Sequence, residues 1–185
     1  MYIWSQIFTV IEYALLGASY LAKNRKAIVA LDIGSMATGI IAFILLGADL
    51  GMAMSVIILL ANFYYLWDES VHSEKERKKY HVRDYVILTV VLVGIALVTI
   101  WTYEGPLSLM SVAATALYEI SIWQKSTKVY KFLGIPVAFC WMTYNGFERS
   151  VFGVLCEMVM FITSIVGYVR EIKAGKKRKA ARRKK

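Results

Sequence analysis

The chain has 185 residues, of which 58 % are hydrophobic and only two are proline. A soluble domain of this length needs more polar surface than such a composition supplies, so the composition excludes an ordinary soluble domain and favours a membrane protein. The formal net charge is +9, but it arises in residues 173–185, since residues 1–172 contain as many acidic as basic side chains. The charge therefore gives no support to a nucleic-acid-binding fold, and we expect no nucleic-acid partner.

Seven hydrophobic segments follow one another along the chain. Each is close to the roughly 20 residues that a helix needs to cross the hydrocarbon core of a bilayer. The predicted helices cover residues 3–22, 27–47, 50–67, 85–102, 107–123, 132–146 and 151–169. The fold class that we predict is an all-α polytopic membrane protein with seven transmembrane helices.

The positive charges are confined to every second connection between these segments. Of the 22 Lys and Arg residues, all but Arg149 lie in the first, third and fifth connections or in the C-terminal tail. Cytoplasmic loops retain Lys and Arg during insertion, so this pattern predicts an N-terminus outside and a cytoplasmic C-terminus. The other three turns carry one acid each, namely Asp49, Glu104 and Glu148.

The seven helices divide into two groups of three with one helix between them. A shift of 102 residues aligns the first three helices with the last three, and it matches Ser19 with Ser121. Two such units share an orientation only if an odd number of helices separates them, and the apolar fourth helix fits that position. We therefore expect a first three-helix repeat (1–67), a basic cytoplasmic loop with a linker helix (68–104), a second three-helix repeat (105–170) and a basic, disordered cytoplasmic tail (171–185).

Residues in the last two segments carry a resemblance to a known family. Trp141 precedes Asn145 by four residues, a glycine-containing turn follows, and Glu157 lies inside the last segment. On these residues the chain resembles the YgjV-type bacterial inner-membrane proteins, which are similar to the SWEET, SemiSWEET and PnuC class of three-helix-repeat transporters. The resemblance implies a multi-pass protein of the inner (plasma) membrane with a small-solute site between two repeats. The sugar-transporting relatives use hinge prolines in their core helices, whereas this chain has only Pro136 there, so a rocking mechanism is modified or absent.

Four acidic residues lie inside the predicted membrane segments: Glu12, Asp32, Glu119 and Glu157. A charged side chain near the bilayer centre costs about 2.5–3.5 kcal/mol on insertion scales, so such residues normally face protein or a watery cavity. Asp32 closely follows the Lys23–Lys26 cluster, and we expect it to bind this cluster in a structural role.

We expect a substrate-binding site formed by Asn62, Trp141, Asn145 and Glu157. Trp141 offers a stacking surface, Asn145 an amide and Glu157 a carboxylate, and Asn62 lies on the repeat-equivalent stripe of the third helix. Such a set suits a polar, planar or sugar-like solute. The alternatives are that Trp141 anchors the chain at the membrane interface and that Asn145 caps or bridges helices.

Glu12 and Glu119 are candidates for coupling transport to a proton, because burial favours the neutral form of a carboxyl group. Either residue could equally donate a hydrogen bond between helices as a neutral acid. Thr115 lies one turn before Glu119 and is its expected partner.

The function that we predict is transport of a small solute of unknown identity, and the alternative is a non-transporting integral membrane scaffold or accessory protein. No residue spacing calls for an enzyme, a cofactor or a metal site, since His72 and His81 lack further ligands. The expected partners are the lipid bilayer, anionic lipid headgroups at the C-terminal tail and a small polar solute. The sequence leaves a homo-oligomer open.

Overall fold

The computed structural model describes residues 2–47, 49–72, 76, 79–101, 103 and 105–183. Within these ranges the chain forms seven helices and no strand. The helices are α1 (Tyr2–Leu21), α2 (Arg25–Leu46), α3 (Asp49–Val71), α4 (Val82–Trp101), α5 (Ser108–Trp123), α6 (Thr127–Phe147) and α7 (Val151–Arg183). The predicted all-α class is confirmed, and α1, α2, α4 and α5 begin and end within three residues of their predicted bounds. Helix α3 ends four residues later than predicted, and α6 begins five residues earlier. Glu104 and the loop residues Lys75, Arg77 and Lys78 lie outside the described residues.

Local sequence signals explain where several helices begin and end. Asn24 precedes α2, and its side-chain oxygen accepts a hydrogen bond of 2.8 Å from the backbone N–H of Ala27. Ser126 caps α6 in the same manner through Val129. Such caps satisfy backbone donors that the first turn leaves unpaired. Gly47 ends α2 with a φ of 68°, a left-handed conformation that glycine adopts without steric cost.

Three helices are long and apolar enough to cross a membrane, namely α2, α4 and residues Val151–Lys177 of α7. The surface of α4 agrees with this, because Val90, Leu97 and Ile100 are all largely exposed on one helix. Continuous rows of exposed large apolar side chains are unfavourable in water and favourable in lipid. The outer surface of the molecule is therefore suited to a bilayer.

The helices form a closed ring in chain order. Each helix packs against the one before and the one after it, and α7 packs against α1. Successive helices joined by short connections run antiparallel. The end of the ring that contains Arg25, Arg83 and Lys125 is called the basic end below, and the other is called the opposite end.

Tyr20 of α1 lies close to glycines of two other helices. The Tyr20 ring occupies the space that a Cβ atom on Gly134 of α6 would need. The backbone carbonyl oxygen of Tyr20 occupies the corresponding space at Gly167 of α7. Small residues let helices approach each other closely, so these two glycines allow α1, α6 and α7 to meet. The Tyr20 ring also stacks on Tyr130 with a centroid distance of 4.9 Å.

The C-terminal tail differs from its prediction. We expected disorder over 171–185, but α7 continues without a break to Arg183. Propagating an existing helix adds one hydrogen bond for each residue fixed, and the apolar part of α7 supplies the nucleus. The tail consists mainly of Ala, Lys and Arg, which all have high helix propensity. The prediction of disorder had treated the tail as separate from the membrane helix.

Candidate functional site

A cavity of about 520 Å³ lies inside the helix ring, and residues from all seven helices line it. This volume is within the range of small-molecule sites. Two carboxylates line the cavity, Glu12 of α1 and Glu157 of α7, and none of the described lining residues is Lys, Arg or His. The aromatic lining residues are Tyr13, Tyr20, Phe43, Tyr118, Trp141 and Tyr144.

The cavity extends from the opposite end of the ring towards its middle. Thr99 in the last turn of α4 and Ser108 at the start of α5 line it near the opposite end. The rings of Tyr20 and Tyr118 line it on the side of the basic end. The cavity therefore faces away from the basic end.

The Glu157 carboxylate is held by Tyr13 of α1, and the Glu12 carboxylate packs against α2. Glu157 is buried, and the Tyr13 hydroxyl donates a hydrogen bond of 2.9 Å to its Oε1 atom. Glu12 precedes Tyr13, and its carboxylate packs against α2 at Gly39. A Cβ atom at position 39 would lie only 2.6 Å from Glu12 Oε1, so the glycine makes room for this group. The cavity thus contains two carboxylates on adjacent helices with no cationic partner among the described lining residues.

Trp141 and Asn145 of α6 lie on the same side of their helix and both line the cavity. The Trp141 ring contacts Tyr144 edge to face, with centroids 5.8 Å apart. The Asn145 side chain donates a hydrogen bond of 3.0 Å to the Trp141 carbonyl. Its Oδ1 atom lies 2.5 Å from where a Cβ on Gly153 of α7 would be. Asn145 therefore joins α6 to α7 and lines the cavity as well.

The structure does not bring Asn62 or Glu119 to the cavity. Both side chains are fully buried, and neither lines it. Tyr65 donates a hydrogen bond of 2.9 Å to Glu119 Oε1, whereas Thr115, the expected partner, donates to the Ser111 carbonyl. Asn62 lies one turn beyond Ile58, a lining residue of α3. Glu119 lies one turn beyond Thr115, a lining residue of α5. These two side chains are thus one turn closer to the basic end than the cavity.

Asp32 also lies beyond the aromatic side of the cavity. Its carboxylate accepts hydrogen bonds of 3.2 and 3.3 Å from the Tyr130 hydroxyl, which is itself 2.6 Å from Ser19 Oγ. The expected partner was the Lys23–Lys26 cluster. In the structure the hydroxyl group of Tyr130, a residue of α6 that is 98 positions away in the chain, donates to the Asp32 carboxylate instead.

Buried ion pairs join the helices at the basic end. Arg25 Nε lies 2.8 Å from Glu69 Oε1, and Lys125 Nζ lies 3.0 Å from both Asp68 Oδ2 and Asp84 Oδ2. These side chains are at most 9 % exposed. The pairs connect α2, α3, α4 and the connection between α5 and α6, so they close this end of the ring.

Further hydrogen bonds hold the same network. The Arg25 guanidinium donates to the backbone carbonyls of Ile122 and Gln124 at the end of α5. Asp84 accepts 2.7 Å from the Tyr64 hydroxyl, and its carbonyl accepts 3.0 Å from the Trp123 indole. A buried charge is tolerated when it is both paired and hydrogen-bonded, and this network meets both conditions.

Several lining residues were missed by the sequence analysis. Ser108, Ser111 and Thr115 form a polar row on α5, and their spacing of three and four residues was a signal that could have been used. Tyr13 gave no such signal, because its partner Glu157 is 144 residues away in the chain.

Comparison with known proteins places the chain in a family. The model of the Imp-YgjV family, described as bacterial inner membrane protein, matches residues 3–174. No curated protein and no solved structure matches the chain. The family match covers nearly the whole helix ring, and the apolar helices agree with a multi-pass arrangement. The chain therefore belongs to the Imp-YgjV family of bacterial inner membrane proteins and is located in that membrane.

Proposed function

We propose that this protein transports a small solute through the centre of the helix ring. The observation that carries the proposal is the cavity of about 520 Å³, which residues of all seven helices line inside a membrane protein. Ionisable residues at membrane depth normally face the protein interior or a water-filled cavity and mark pathways for ions or solutes. Glu12 and Glu157 fit this description. Trp141 and Asn145 supply the stacking surface and the amide.

All seven helices cross the bilayer in this proposal, as two three-helix repeats joined by α4. The packing supports the division, because α1 and α3 both pack against α2, and α5 and α7 both pack against α6. Helix α4 contacts mainly α3 and α5, as a linker would. The positive charges at the basic end support a cytoplasmic location for that end and an external N-terminus.

The arrangement of the cavity corresponds to an outward-facing state. The cavity reaches the opposite end of the ring, while the ion pairs of Arg25 and Lys125 close the basic end. Transport to the cytoplasm requires that this network open while the opposite end closes. The opening would expose Asp32, Asn62 and Glu119, which now lie buried between the cavity and the basic end.

Glu12 and Glu119 are the residues that we assign to proton coupling. Glu12 lines the cavity, whereas Glu119 lies one turn below it, so a proton would be exchanged with either side of the membrane in turn. Asn62 contacts the solute only when the cavity extends towards the basic end. The proposed solute path therefore has two levels. Trp141, Asn145 and Glu157 line the cavity, and Asn62 lies one turn closer to the basic end.

The remaining partners follow from the surface. The C-terminal end of the candidate span of α7 carries Lys173, Lys176 and Lys177, and each such cation near an anionic bilayer contributes about 1 kcal/mol of binding. We propose anionic lipid headgroups as their partners. A homo-oligomer is compatible with the exposed apolar helix faces.

A solute screen and an uptake measurement test the proposal. Purified protein is screened by thermal shift against small polar solutes, and solutes that stabilise it are measured for uptake into proteoliposomes. Val112→Trp places a larger side chain in the cavity and should abolish both the thermal shift and the uptake. Uptake that persists unchanged in this variant would place the pathway elsewhere and contradict the proposal.

A membrane scaffold or accessory protein is the second candidate function. Pro136 inside α6 is the only proline in a described helix, so the chain lacks the hinge prolines of the sugar-transporting relatives. Crosslinking in membranes distinguishes the two functions. Capture of one stoichiometric partner, together with no thermal shift by any solute, would favour the scaffold.

A further inference from the structure

We infer that the solute is an organic cation, a small amine or quaternary ammonium compound held between the carboxylates and the aromatic rings of the cavity. This inference rests on the proposed solute site and names its substrate class. The charge of the lining, its aromatic content and the free capacity of the two carboxylates support it.

The charge of the lining is one-sided. Glu12 and Glu157 both line the cavity, and no Lys, Arg or His is among the described residues around it. Lys125 and Arg25 are engaged with other carboxylates at the basic end. Burial in a low-dielectric site and mutual repulsion both disfavour the ionised forms of two neighbouring carboxyl groups, and a bound cation offsets both effects. An anionic solute would increase them.

The aromatic lining completes a site for a cation. A cation over an aromatic face is attracted by the ring quadrupole, and cages of such rings recognise quaternary ammonium groups. Tyr13 and Trp141 stand beside Glu157 and Asn145 in this lining, and Tyr144 packs edge to face against Trp141. Rings from α1, α2, α5 and α6 thus surround the same space as the two acids.

The carboxylates retain capacity for a solute. Tyr13 donates to only one oxygen of Glu157, and Gly39 provides the space in which the Glu12 carboxylate lies. A hydroxyl-rich neutral solute would need donors as well as acceptors from the wall. The wall also carries hydroxyl groups, but those of Thr99, Ser111 and Thr115 donate to backbone carbonyls of their own helices. The Asn145 amide likewise donates to the Trp141 carbonyl. This balance favours a positively charged ligand.

Binding of a matched series of compounds tests the inference. Equilibrium binding to purified full-length protein in nanodiscs is measured for tetramethylammonium, choline and benzyltrimethylammonium. Dimethylbutanol, the neutral isostere of choline in which carbon replaces nitrogen, is the uncharged comparison. At least one cation should bind about tenfold more tightly than dimethylbutanol. Glu157→Gln and Glu12→Gln should each weaken the binding of this cation about tenfold and leave the alcohol unchanged.

Two variants control for folding and for the location of the site. Glu148→Gln changes an exposed acid at the end of α6, outside the cavity, and should leave cation binding unchanged. Val112→Trp should remove cation binding, because it fills the cavity. Glu157→Asp keeps the charge and should retain more binding than Glu157→Gln, which separates loss of charge from loss of fold.

The outcomes separate this inference from the proposed function. If none of the cations binds while neutral polar solutes bind in a manner sensitive to Val112→Trp, the substrate class is overturned and the solute site stands. If cations bind in the cavity but are not taken up into proteoliposomes, transport is overturned and the cation site stands. Equal affinity for choline and dimethylbutanol in all variants would also overturn the inference.

Discussion

Buried carboxylates have different partners at the basic end of the helix ring and in the cavity. At the basic end, Asp68 and Asp84 share the Lys125 ammonium group at 3.0 Å, and neighbouring groups add further contacts. In the cavity, the one hydrogen-bond partner of Glu157 among the described residues is the Tyr13 hydroxyl, and Glu12 packs against Gly39. Glu157 is buried to a similar extent as Asp68 and Asp84, so the difference lies in charge compensation rather than in burial.

The difference shows which acids serve the fold and which are available to a ligand. A carboxylate that is paired across three helices fixes the positions of those helices. A carboxylate that lines a cavity without a nearby cation has no compensating charge until a ligand binds. Perturbed or uncompensated ionisable groups in a cleft are therefore better indicators of function than the number of acids in a region.

Removal of the shared cation should have the largest effect on stability. Lys125→Met leaves Asp68 and Asp84 buried without their common partner, and breaking a buried pair in this way costs about 3–5 kcal/mol. We expect about 3 kcal/mol, because Asp84 keeps its bond to Tyr64 and Asp68 keeps Arg83. Thermal unfolding in detergent measures the loss.

Lys23→Met is the matched control, because Lys23 is an exposed lysine at the same end. Its unfolding temperature should stay within error of the parent protein. Equal effects of the two substitutions would mean that the basic end is held together by apolar packing and not by the ion pairs.

Substitution of two glycines of α6 tests how tightly Tyr20 packs on the basic side of the cavity. Gly134→Ala places a methyl group in the space of the Tyr20 ring, which is itself stacked on Tyr130, so it should cost about 1–3 kcal/mol. Gly146→Ala meets nothing within 4 Å and should stabilise the helix by about 0.5–1 kcal/mol. Comparing the two variants in one unfolding assay checks this, and a neutral Gly134→Ala would show that Tyr20 moves easily.

Loss of the tyrosine donor in the cavity should have a smaller effect. Tyr13→Phe removes the hydrogen bond to Glu157 and keeps the ring, so the expected cost is about 1 kcal/mol of stability. Tyr2→Phe, at an exposed position of α1, should cost nothing measurable. A Tyr13→Phe protein with a loss comparable to that of Lys125→Met would remove the contrast between the two regions.

Truncation of α7 should have the smallest effect on stability. Ending the chain after Ile172 keeps the apolar residues of α7 and the 2.9 Å ion pair between Lys131 and Glu171, and it removes Lys173, Lys176 and Lys177. The unfolding temperature should therefore remain unchanged. Binding of the purified protein to vesicles with anionic lipid should weaken, and unaltered binding would show that the tail does not contact headgroups.

The helices were predictable because membrane insertion imposes strong patterns on a sequence. Apolar length located the seven segments, and Asn24, Gly47 and Ser126 mark boundaries by ordinary capping. The end of α7 was not predictable in this way, since charge composition alone does not show whether a segment continues an existing helix.

The candidate site was predictable only in part. Trp141, Asn145 and Glu157 lie near one another along two successive helices, so helical spacing was enough to place them on one cavity. Asn62 and Glu119 required knowledge of depth in the folded ring, which a repeat alignment does not supply. The Tyr13–Glu157 and Tyr130–Asp32 bonds join helices from opposite ends of the sequence and follow only from closure of the ring.

Labelling of one engineered cysteine tests the orientation of the ring and the solute site together. Thr99→Cys, in a background with Cys140→Ala and Cys156→Ala, places a thiol in the cavity lining near the opposite end. In intact cells from which the outer membrane has been removed, a membrane-impermeant thiol reagent should label it, and the bound cation series should slow the labelling. Labelling by permeant reagents alone, at a rate that no solute changes, would contradict both the orientation and the solute site.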